Sequence, residues 1–277
     1  MGKGDLFEMK PGIYKEMDIN LYHSSEGISN SGLCLFSESP KKYWYKYLSG
    51  MCGIEKPTDD QIFGSAVHTA ILEPDEFNNR YFVVDKMKRS GKKWNAVLEA
   101  AGNKQVLFEP DYRAIEQIMW SLAQIPTAKQ IISNGNAEHS IYFNDADTGA
   151  LCKARPDYFT DTLVVDIKTT KCAEQNEYSK TVKNYNYHRQ AAMILDALSA
   201  QTGQLYELFV HIAIEKEPPY LIALYVFDDE TIEQGRYEYK KALGSYAECL
   251  SKNEWPGYSL EPVDLSLPSW ALKRESI

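Results

Sequence analysis

Apolar residues in the first half of the chain recur at helical spacing. Between residues 59 and 72, for example, Ile62, Ala66 and Ala70 follow one another at intervals of four and share one helical face. Ser39-Pro40 supplies a helix start, and Glu73-Pro74 supplies a helix end. These patterns predict a helix capped by Ser29 or Ser31 that runs to Glu38, helices over 41–48, 59–72, 110–123 and 127–132, and a basic loop with a short helix between 86 and 104.

The pattern changes near residue 138, where apolar and polar positions begin to alternate. Alternation predicts strands over 138–143 and 150–158, joined by a turn of polar residues. The apolar segment 163–168 predicts a strand in the middle of a sheet. Beyond it the pattern predicts a helix over 185–201, strands over 205–214 and 220–227, and a long helix over 231–250. This order indicates an α/β or α+β fold with a mixed five-stranded sheet flanked by helices.

Composition is that of one large globular domain. Apolar residues make up 44% and charged residues 25% of 277 residues, which excludes a mostly disordered chain. No linker is apparent, so we expect a single domain over 1–277, with a helical N-terminal part at 13–60, a core at about 60–250 and an irregular tail at 251–277. No apolar run reaches about 18 residues and no signal peptide is visible, so we expect a cytoplasmic protein without a membrane span.

Charge and cysteine content exclude further classes of protein. The net charge of −9 argues against a generally basic nucleic-acid-binding surface, although residues 86–104 hold six basic residues and one acidic residue. Residues 201–277 hold thirteen acidic and seven basic residues, and carboxylates gathered at a metal site would also make the total acidic. The five cysteines form no CxxC pair, which favours free thiols over disulfides or cysteine-bound metal.

Two aspartates and a lysine lie close together in the predicted sheet. Asp157 ends one predicted strand, while Asp166 and Lys168 lie two residues apart and project from one face of the next. In adjacent antiparallel strands the two carboxylates could face each other, and a buried pair of carboxylates needs a cation such as Mg²⁺. Lys168 could then hold the attacking water or stabilise charge on a phosphate. A structural salt bridge between Lys168 and either aspartate is the alternative interpretation.

Four motifs in this order resemble those of one nuclease family. Pro156-Asp157, eight further residues and Asp166-Ile167-Lys168 resemble the PD-(D/E)xK signature. Residues 28–33 with 39–43 resemble the N-terminal signature of RecE-type and RecB-type nucleases, and 63–74 resemble the helix that supplies their metal-binding histidine. Residues 187–192 resemble the helix that lines the active site of RecE and lambda exonuclease. Residues 13–250 are thus similar to a RecE-type, phage-associated exonuclease domain with a restriction-endonuclease-like core.

The resemblance implies the residues of a site. The implied metal ligands are His68, Asp157, Asp166 and the backbone carbonyl of Ile167. The implied catalytic residues, which contact the attacking water or the phosphate, are Lys168, Gln190 and Tyr187 together with the two aspartates. The candidates for contacts with DNA or its 5′-phosphate are Ser29, Asn30, Ser31, Lys41, Lys42 and Arg155.

Several of these residues have a second interpretation from the sequence alone. A single histidine on an apolar helix, as at His68, is more often part of the packing than a ligand. Glu138 is a further candidate for the site, and an ordinary acid on an edge strand fits its position equally well. Tyr187 and Gln190 share one helix face, which is also what a solvated polar face would show.

The resemblance also implies an activity and its partners. It implies a Mg²⁺-dependent 5′-to-3′ exonuclease, with Mn²⁺ as a substitute, that degrades linear double-stranded DNA and leaves 3′ overhangs for annealing-type recombination. It implies a ring of three or four copies and a RecT- or Beta-like single-strand annealing protein as partner. No phosphate-binding G-x-x-x-x-G-K-[ST] loop is present, so no ATP requirement is expected. Ile194 departs from the RecB-type Q-x-x-x-Y pattern, and the cysteine placement leads us to expect no iron–sulfur cluster.

Two alternatives stay open at this point. A Cas4- or RecB-like or restriction-type nuclease would have another polarity or would nick circular DNA. A non-catalytic module would bind DNA ends without metal-dependent cleavage. The complete set of Asp157, Asp166 and Lys168 favours an enzyme.

Overall fold

The computed structural model describes residues 7–53 and 56–268, so the last part of the predicted tail lies outside the described residues. In chain order the strands are β1 (Gly12–Tyr14), β2 (Tyr81–Val84), β3 (Gln105–Phe108), β4 (Asn136–Ala137), β5 (Ser140–Asn144), β6 (Leu151–Ala154), β7 (Tyr158–Phe159), β8 (Leu163–Thr170), β9 (Leu208–Glu215) and β10 (Ile222–Val226). The helices are α1 (Ile19–Ser24), α2 (Asn30–Glu38), α3 (Pro40–Tyr43), α4 (Asp59–Leu72), α5 (Phe77–Arg80), α6 (Gly91–Ala101), α7 (Glu109–Ala123), α8 (Pro126–Ile131), α9 (Gln175–Asn184), α10 (Tyr187–Thr202) and α11 (Asp229–Lys252).

The main sheet has five strands among the described residues, in the order β10-β9-β8-β7-β4. β8 and β9 are parallel, whereas the other neighbours are antiparallel. The mixed five-stranded sheet predicted from the sequence is therefore confirmed, with the segment at 163–168 at its centre. β8 is buried on both faces, because Val164 belongs to one apolar cluster while Val165 and Ile167 belong to another.

Helices cover both faces of this sheet. The cluster around Val164 includes residues of α2, α10 and α11, and the cluster around Val165 includes residues of α4 and α7. Successive side chains of a strand point to opposite faces. Asp166 and Lys168 consequently share the face of Val164, toward α10. No helix in residues 7–53 and 56–268 has both the length and the apolar character needed to cross a bilayer.

Local signals account for the helices that were predicted well. Thr58 and Gln61 form a reciprocal capping box at the start of α4, so the helix predicted over 59–72 is confirmed. Ser29 caps α2 by accepting a hydrogen bond from the backbone N–H of Gly32. The predicted helix over 41–48 begins as α3 and continues as a π-helical turn over Trp44–Leu48.

Of the two strands predicted over 138–143 and 150–158, the first begins at Ser140 and the second is interrupted, which changes their sheet. Glu138 has a left-handed backbone, with φ of 54°, and separates β4 from β5. Pro156 lacks the N–H that a ladder needs, and it separates β6 from β7. The predicted hairpin exists as β5 and β6, but it belongs to a second sheet with β1. Of the four strands between residues 136 and 159, only the short strands β4 and β7 enter the main sheet.

Some short elements were not predicted. β2 and β3 form a parallel pair that flanks the segment 86–104, which was predicted as a basic loop with a short helix and contains α6. Each of these strands has four residues, too few to establish an alternating pattern. α9 was missed because polar residues dominate its segment, and α1 was missed because six residues are too few to show helical spacing.

α10 and α11 approach each other closely at Gly235. A Cβ atom built on this glycine would lie 2.1 Å from the carbonyl oxygen of His188 and 2.6 Å from its carbonyl carbon. Both are backbone atoms that cannot rotate away, so a side chain at this position would separate the two helices.

We expect Gly235→Ala to lower the free energy of unfolding by about 1–3 kcal/mol, because the helices must move apart to admit a methyl group. Gly244 lies on the same helix with no other atom of the described residues within 4 Å of an added Cβ, which makes Gly244→Ala the control. That variant should gain about 0.5–1 kcal/mol from the higher helix preference of alanine. Denaturant unfolding of both variants measures the difference, and equal effects would refute the close contact.

Glu238 on α11 connects three other side chains. Its carboxylate accepts hydrogen bonds from Lys183 at 2.6 Å and Gln234 at 2.8 Å, and it lies 3.0 Å from Nε2 of His188. Burial alone would raise the pKa of Glu238, but these partners outweigh burial and lower the pKa from 4.5 to about 2. The ionised carboxylate therefore stabilises the folded state above its unfolded pKa, and this contribution disappears as the pH falls toward 2.

We expect the stability difference between wild type and Glu238→Gln to shrink as the pH falls. The variant resembles the protonated acid, so wild type should be more stable near neutral pH and should approach the variant between about pH 5 and about pH 2. Unfolding curves of both proteins over this range test the prediction. A difference that stays constant with pH would contradict it.

Candidate functional site

Asp157 and Asp166 lie opposite each other where β7 meets β8. Tyr158 pairs with Val165 in the antiparallel register, and continuing that register by one residue sets Asp157 opposite Asp166. The backbone N–H of Ile167 donates a hydrogen bond of 2.6 Å to Oδ2 of Asp157. The side chain of Asp157 is 13% exposed, whereas Asp166 is fully buried. The sheet therefore brings together two carboxylates that have very different access to solvent.

The carboxylate of Asp166 is surrounded by polar side chains from β8 and α10. Nζ of Lys168, from the same face of β8, lies 2.5 Å from Oδ2. Gln190 on α10 donates a hydrogen bond of 3.1 Å to Oδ1. Tyr187, one turn before Gln190, places its ring centroid 5.0 Å from the same Nζ atom. The helix face that Tyr187 and Gln190 share thus covers the Asp166–Lys168 pair.

His68 reaches the site from α4 on the other side of the sheet. α4 lies close to β8, since a Cβ atom on Gly64 would be 3.5 Å from Oγ1 of Thr169. One turn later, Nδ1 of His68 lies 3.4 Å from Oδ2 of Asp157. Glu138 completes a group of three, in which the ligand atoms of His68, Glu138 and Asp157 all lie within 4.8 Å of one another.

Glu138, whose backbone is in the left-handed region, lies in the break between β4 and β5. Its backbone N–H donates a hydrogen bond of 3.0 Å to the carbonyl oxygen of Asp157. This bond connects the break between β4 and β5 with the break between β6 and β7. Its carboxylate accepts a hydrogen bond of 2.9 Å from Arg155. The break between β4 and β5 is therefore what brings a third acidic side chain to Asp157.

The electrostatics of the site follow from burial and from crowded charges. Burial opposes ionisation of Asp157, yet the adjacent His68 and Lys168 hold the pKa of that carboxyl below its usual range. Burial and the charge of Asp157 both raise the pKa of Asp166. Burial would lower the pKa of Lys168, but the two aspartates outweigh it and raise the pKa of the ammonium group. Burial followed by the charge of Asp157 also raises the pKa of Glu138. The three carboxylates repel one another at close range, which favours a bound cation.

The side chains present suit a hard divalent cation. His68, Glu138 and Asp157 offer one nitrogen and carboxylate oxygens, a donor set compatible with Mg²⁺ or Mn²⁺. Oδ2 of Asp166 is a buried oxygen without a hydrogen bond of acceptable geometry among the described residues, although Lys168 lies beside it. A buried carboxylate oxygen without a hydrogen-bond partner can accept a further positively charged ligand.

The predicted metal ligands are only partly gathered into one group. His68 and Asp157 lie together, and Glu138 joins them, but the carboxylate of Asp166 is not part of the three-residue group. It contacts Lys168 and Gln190 instead. Ile167 contributes its N–H to Asp157, and its side chain lies in the apolar core. The salt bridge considered as an alternative from the sequence is present between Asp166 and Lys168, inside the same cluster of residues.

Among the DNA candidates, the start of α2 lies beside the site. Nδ2 of Asn30 donates to the carbonyl oxygen of Asn186 at 3.5 Å, immediately before Tyr187. Ser29 is occupied in capping α2, and Ser31 is exposed on its first turn. This end of α2 is therefore a neighbour of the first turn of α10.

The basic candidates differ in how freely they could meet a phosphate. Lys41 is exposed, with its Nζ 4.4 Å from the ring centroid of Trp44, and Lys42 forms an exposed ion pair of 3.3 Å with Glu38. Arg155 is mostly buried, with its guanidinium directed into the protein. Its three hydrogen bonds go to Glu138, to the carbonyl oxygen of Met17 and to Ser140. Arg155 thus supports Glu138 from inside the fold.

Two residues near Asp166 were missed in the sequence. His211 on β9 is the parallel-register partner of Asp166, and its Nε2 lies 3.5 Å from Oδ2 of that aspartate. Tyr178 on α9 lies 2.8 Å from Nδ1 of His211 through its hydroxyl group. The only signal for His211 is its place in β9, and using it requires knowledge of which strand pairs with β8.

One family model and several solved structures are similar to this chain. The model of a family described as "PDDEXK-like domain of unknown function (DUF3799)" matches residues 29–264. This match confirms the resemblance to PD-(D/E)xK proteins that the four motifs predicted. No curated protein matches the chain.

Among solved structures, a chain from Eubacterium rectale described as a "Putative exonuclease" is similar over 91% of this chain and 96% of its own, with a TM-score of 0.62 and 15% identity. At that identity the similarity establishes a shared fold. The alkaline exonuclease LHK-Exo from Laribacter hongkongensis is similar over 68% of this chain and 91% of its own, at 17% identity and a TM-score of 0.27.

We expect a divalent cation to stabilise the folded protein through the group of His68, Glu138 and Asp157. A ligand that binds only the folded state, at about a hundred times its dissociation constant, raises the free energy of unfolding by about 2.7 kcal/mol. Thermal unfolding with Mn²⁺ and with EDTA measures the gain. Asp157→Asn and His68→Ala should lose most of it.

Glu248→Gln is the matched control for these variants. Glu248 is exposed on α11 and paired with Lys252, remote from the three-residue group, so its loss should leave the Mn²⁺ effect unchanged. An equal Mn²⁺ effect in wild type and in Asp157→Asn would show that the cation binds elsewhere.

Proposed function

We propose that this chain, which belongs to the family of PDDEXK-like domains (DUF3799), is a nuclease that hydrolyses phosphodiester bonds of DNA with the help of a divalent cation. The observation that carries the proposal is the juxtaposition of Asp157, Asp166 and Lys168 at the junction of β7 and β8. Family membership, this arrangement and the fold shared with the Eubacterium rectale chain all support it.

The proposed cation is Mg²⁺, with Mn²⁺ as a substitute. His68, Glu138 and Asp157 would hold it, and Asp166 and the backbone carbonyl of Ile167 are the remaining proposed ligands. A bound divalent cation supplies positive charge that polarises the phosphodiester and makes water a better nucleophile. The hydrogen bond from the Ile167 N–H fixes one oxygen of Asp157, so the orientation of this carboxylate is set before any substrate arrives.

Lys168 would provide the positive charge next to the reacting phosphate. The aspartates beside it keep its ammonium group protonated, and its side chain is 16% exposed, so one side of it can meet a substrate. A preorganised charge in a site of low dielectric stabilises negative charge that develops on phosphate oxygens. Gln190 holds Oδ1 of Asp166, and the ring of Tyr187 covers the ammonium group from the side of α10.

The finer proposal is a 5′-to-3′ exonuclease that acts on linear double-stranded DNA and leaves 3′ overhangs. The nearness of the α2 start to Tyr187 supports a role for Ser29, Asn30 and Ser31 in holding the DNA end next to the site. Lys41 and Lys42 would add phosphate contacts on the neighbouring helix, which makes affinity sensitive to salt. A ring of three or four copies and a RecT- or Beta-like annealing partner complete the proposal.

Digestion of linear duplex DNA labelled separately at the 5′ and 3′ ends tests the proposal directly. With Mg²⁺ we expect early release of the 5′ label and intact closed circles, and with EDTA we expect no release. Asp166→Asn and Lys168→Ala should each lower the rate by at least about 100-fold. The first removes a proposed ligand of the cation, and the second removes the positive charge next to the reacting phosphate. Lys180→Ala is the control, since Lys180 is an exposed lysine on α9 paired with Glu177.

Each other outcome removes a specific part of the proposal. Cut circles, or early release of the 3′ label, would keep the nuclease and discard the 5′ exonuclease. Salt-sensitive DNA binding without cleavage in any lane would replace the enzyme with a DNA-end-binding module. Full activity in both Asp166→Asn and Lys168→Ala would sink the site assignment.

A further inference from the structure

His211 is a buried histidine next to the site that the proposed reaction does not yet use. It is fully buried, and its ring lies among Phe227, Phe209, Tyr187 and Tyr178, at centroid distances of 4.6, 5.5, 5.5 and 5.9 Å. Its Nε2 has no hydrogen-bond partner among the described residues. A buried ring nitrogen without a partner is costly, so an apolar side chain would pack more favourably if packing were its only role.

The unpartnered nitrogen of His211 faces an oxygen that already has another neighbour. Nε2 lies 3.5 Å from Oδ2 of Asp166, too long for a strong hydrogen bond, while Nζ of Lys168 lies 2.5 Å from the same oxygen. Oδ1 of Asp166 is held separately by Gln190. Lys168 and His211 are thus two positive or donor groups that approach one carboxylate oxygen, and only Lys168 is in close contact.

Tyr178 determines which nitrogen of His211 carries the proton. Its hydroxyl group lies 2.8 Å from Nδ1. If the hydroxyl donates, Nδ1 is the acceptor and the proton resides on Nε2, where the N–H points toward the Asp166 carboxylate. The opposite tautomer would direct a lone pair at a carboxylate, which is repulsive. Burial and the nearby acid raise the pKa of Tyr178, so its hydroxyl keeps the proton that it donates.

We propose that His211, held by Tyr178, is a positioning residue that replaces Lys168 at Oδ2 of Asp166 when the ammonium group turns toward the phosphate of the substrate. The inference rests on the proposed nuclease function, because only a substrate phosphate beside the site would draw the ammonium group of Lys168 away from Asp166. Oδ2 of Asp166 would then lose its only close neighbour while Gln190 still held Oδ1, and a buried carboxylate oxygen without a partner is costly. Rotation of one or both side chains would shorten the distance of 3.5 Å between Nε2 of His211 and Oδ2 of Asp166. The Nε2–H would then donate a hydrogen bond to this oxygen.

Removal of the lysine tests this exchange without any need for activity. In Lys168→Met the ammonium group is gone, and the side chain of Asp166 should move onto His211. Proton–nitrogen NMR of the histidine side chains should then show a slowly exchanging, downfield-shifted Nε2–H that is absent or weaker in wild type. A His211 protonated on Nδ1 in either protein, or an Nε2–H signal that Lys168→Met leaves unchanged, would overturn the proposal.

Kinetics test the consequence for the reaction. His211→Leu keeps most of the volume and removes the N–H, so we expect kcat on linear DNA to fall by about 10- to 100-fold while KM stays within about twofold. His211→Gln keeps a donor and should recover part of the loss. Tyr178→Phe should lower kcat less than His211→Leu and should weaken the Nε2–H tautomer.

Tyr225→Phe is the matched control for these variants. The ring of Tyr225 stacks on Tyr178 at 5.1 Å, but its hydroxyl group donates to the carbonyl oxygen of Ala173 and not toward Asp166. Its kcat should equal that of wild type. If His211→Leu does not fold, His211→Gln, Tyr178→Phe and the NMR measurement still decide the proposal. An inactive wild type with the expected NMR result would reject the nuclease function and keep the exchange of partners, whereas a wild-type kcat in folded His211→Leu would reject the positioning role.

Discussion

The burial of the Asp166 carboxylate at the centre of the main sheet is the constraint on which the site depends. Removing an ion from water costs several kcal/mol, so the fold must surround this group with charge and hydrogen-bond donors. Each neighbouring element supplies one: Lys168 comes from the same strand, Gln190 from α10 and His211 from β9. The packing of α10 and β9 against β8 therefore also places the polar groups that the site needs.

Interrupted strands build the second half of the site. Pro156 ends β6 and lets Asp157 leave the hairpin sheet, so that its carboxylate meets the backbone N–H of Ile167 on β8. Glu138 breaks the facing strand with a left-handed backbone, and Arg155 then holds its side chain near Asp157. Non-glycine residues in the left-handed region cost free energy and persist where the surroundings fix them. Here the irregular geometry coincides with the only described group of three ligand side chains that could hold a metal ion.

The sequence was sufficient for the parts of this protein that depend on local patterns. The cap of α2, the helical spacing of α4, the apolar run of β8 and the motif residues Asp157, Asp166 and Lys168 were all recognisable without a structure. The sequence could not show which strands pair with each other. The strand break at Glu138 has no apolar signature, and the hairpin carries no sign of the sheet that it joins. His211 is one polar residue inside the apolar run from Leu208 to Ile214. Its relation to Asp166 exists only through the parallel register of β8 and β9.

The close approach of α10 and α11 at Gly235 has a mechanical consequence for the site. The backbone of α11 meets the carbonyl group of His188 with no space for a side chain between them, so the two helices are in direct backbone contact there. His188 lies one residue after Tyr187 and two before Gln190, the side chains that cover Lys168 and hold Asp166. A displacement of α11 at this contact, by another macromolecule or a neighbouring copy bound to its exposed surface, would therefore press on the first turn of α10. The positions of Tyr187 and Gln190 are thus sensitive to what binds the outer face of α11.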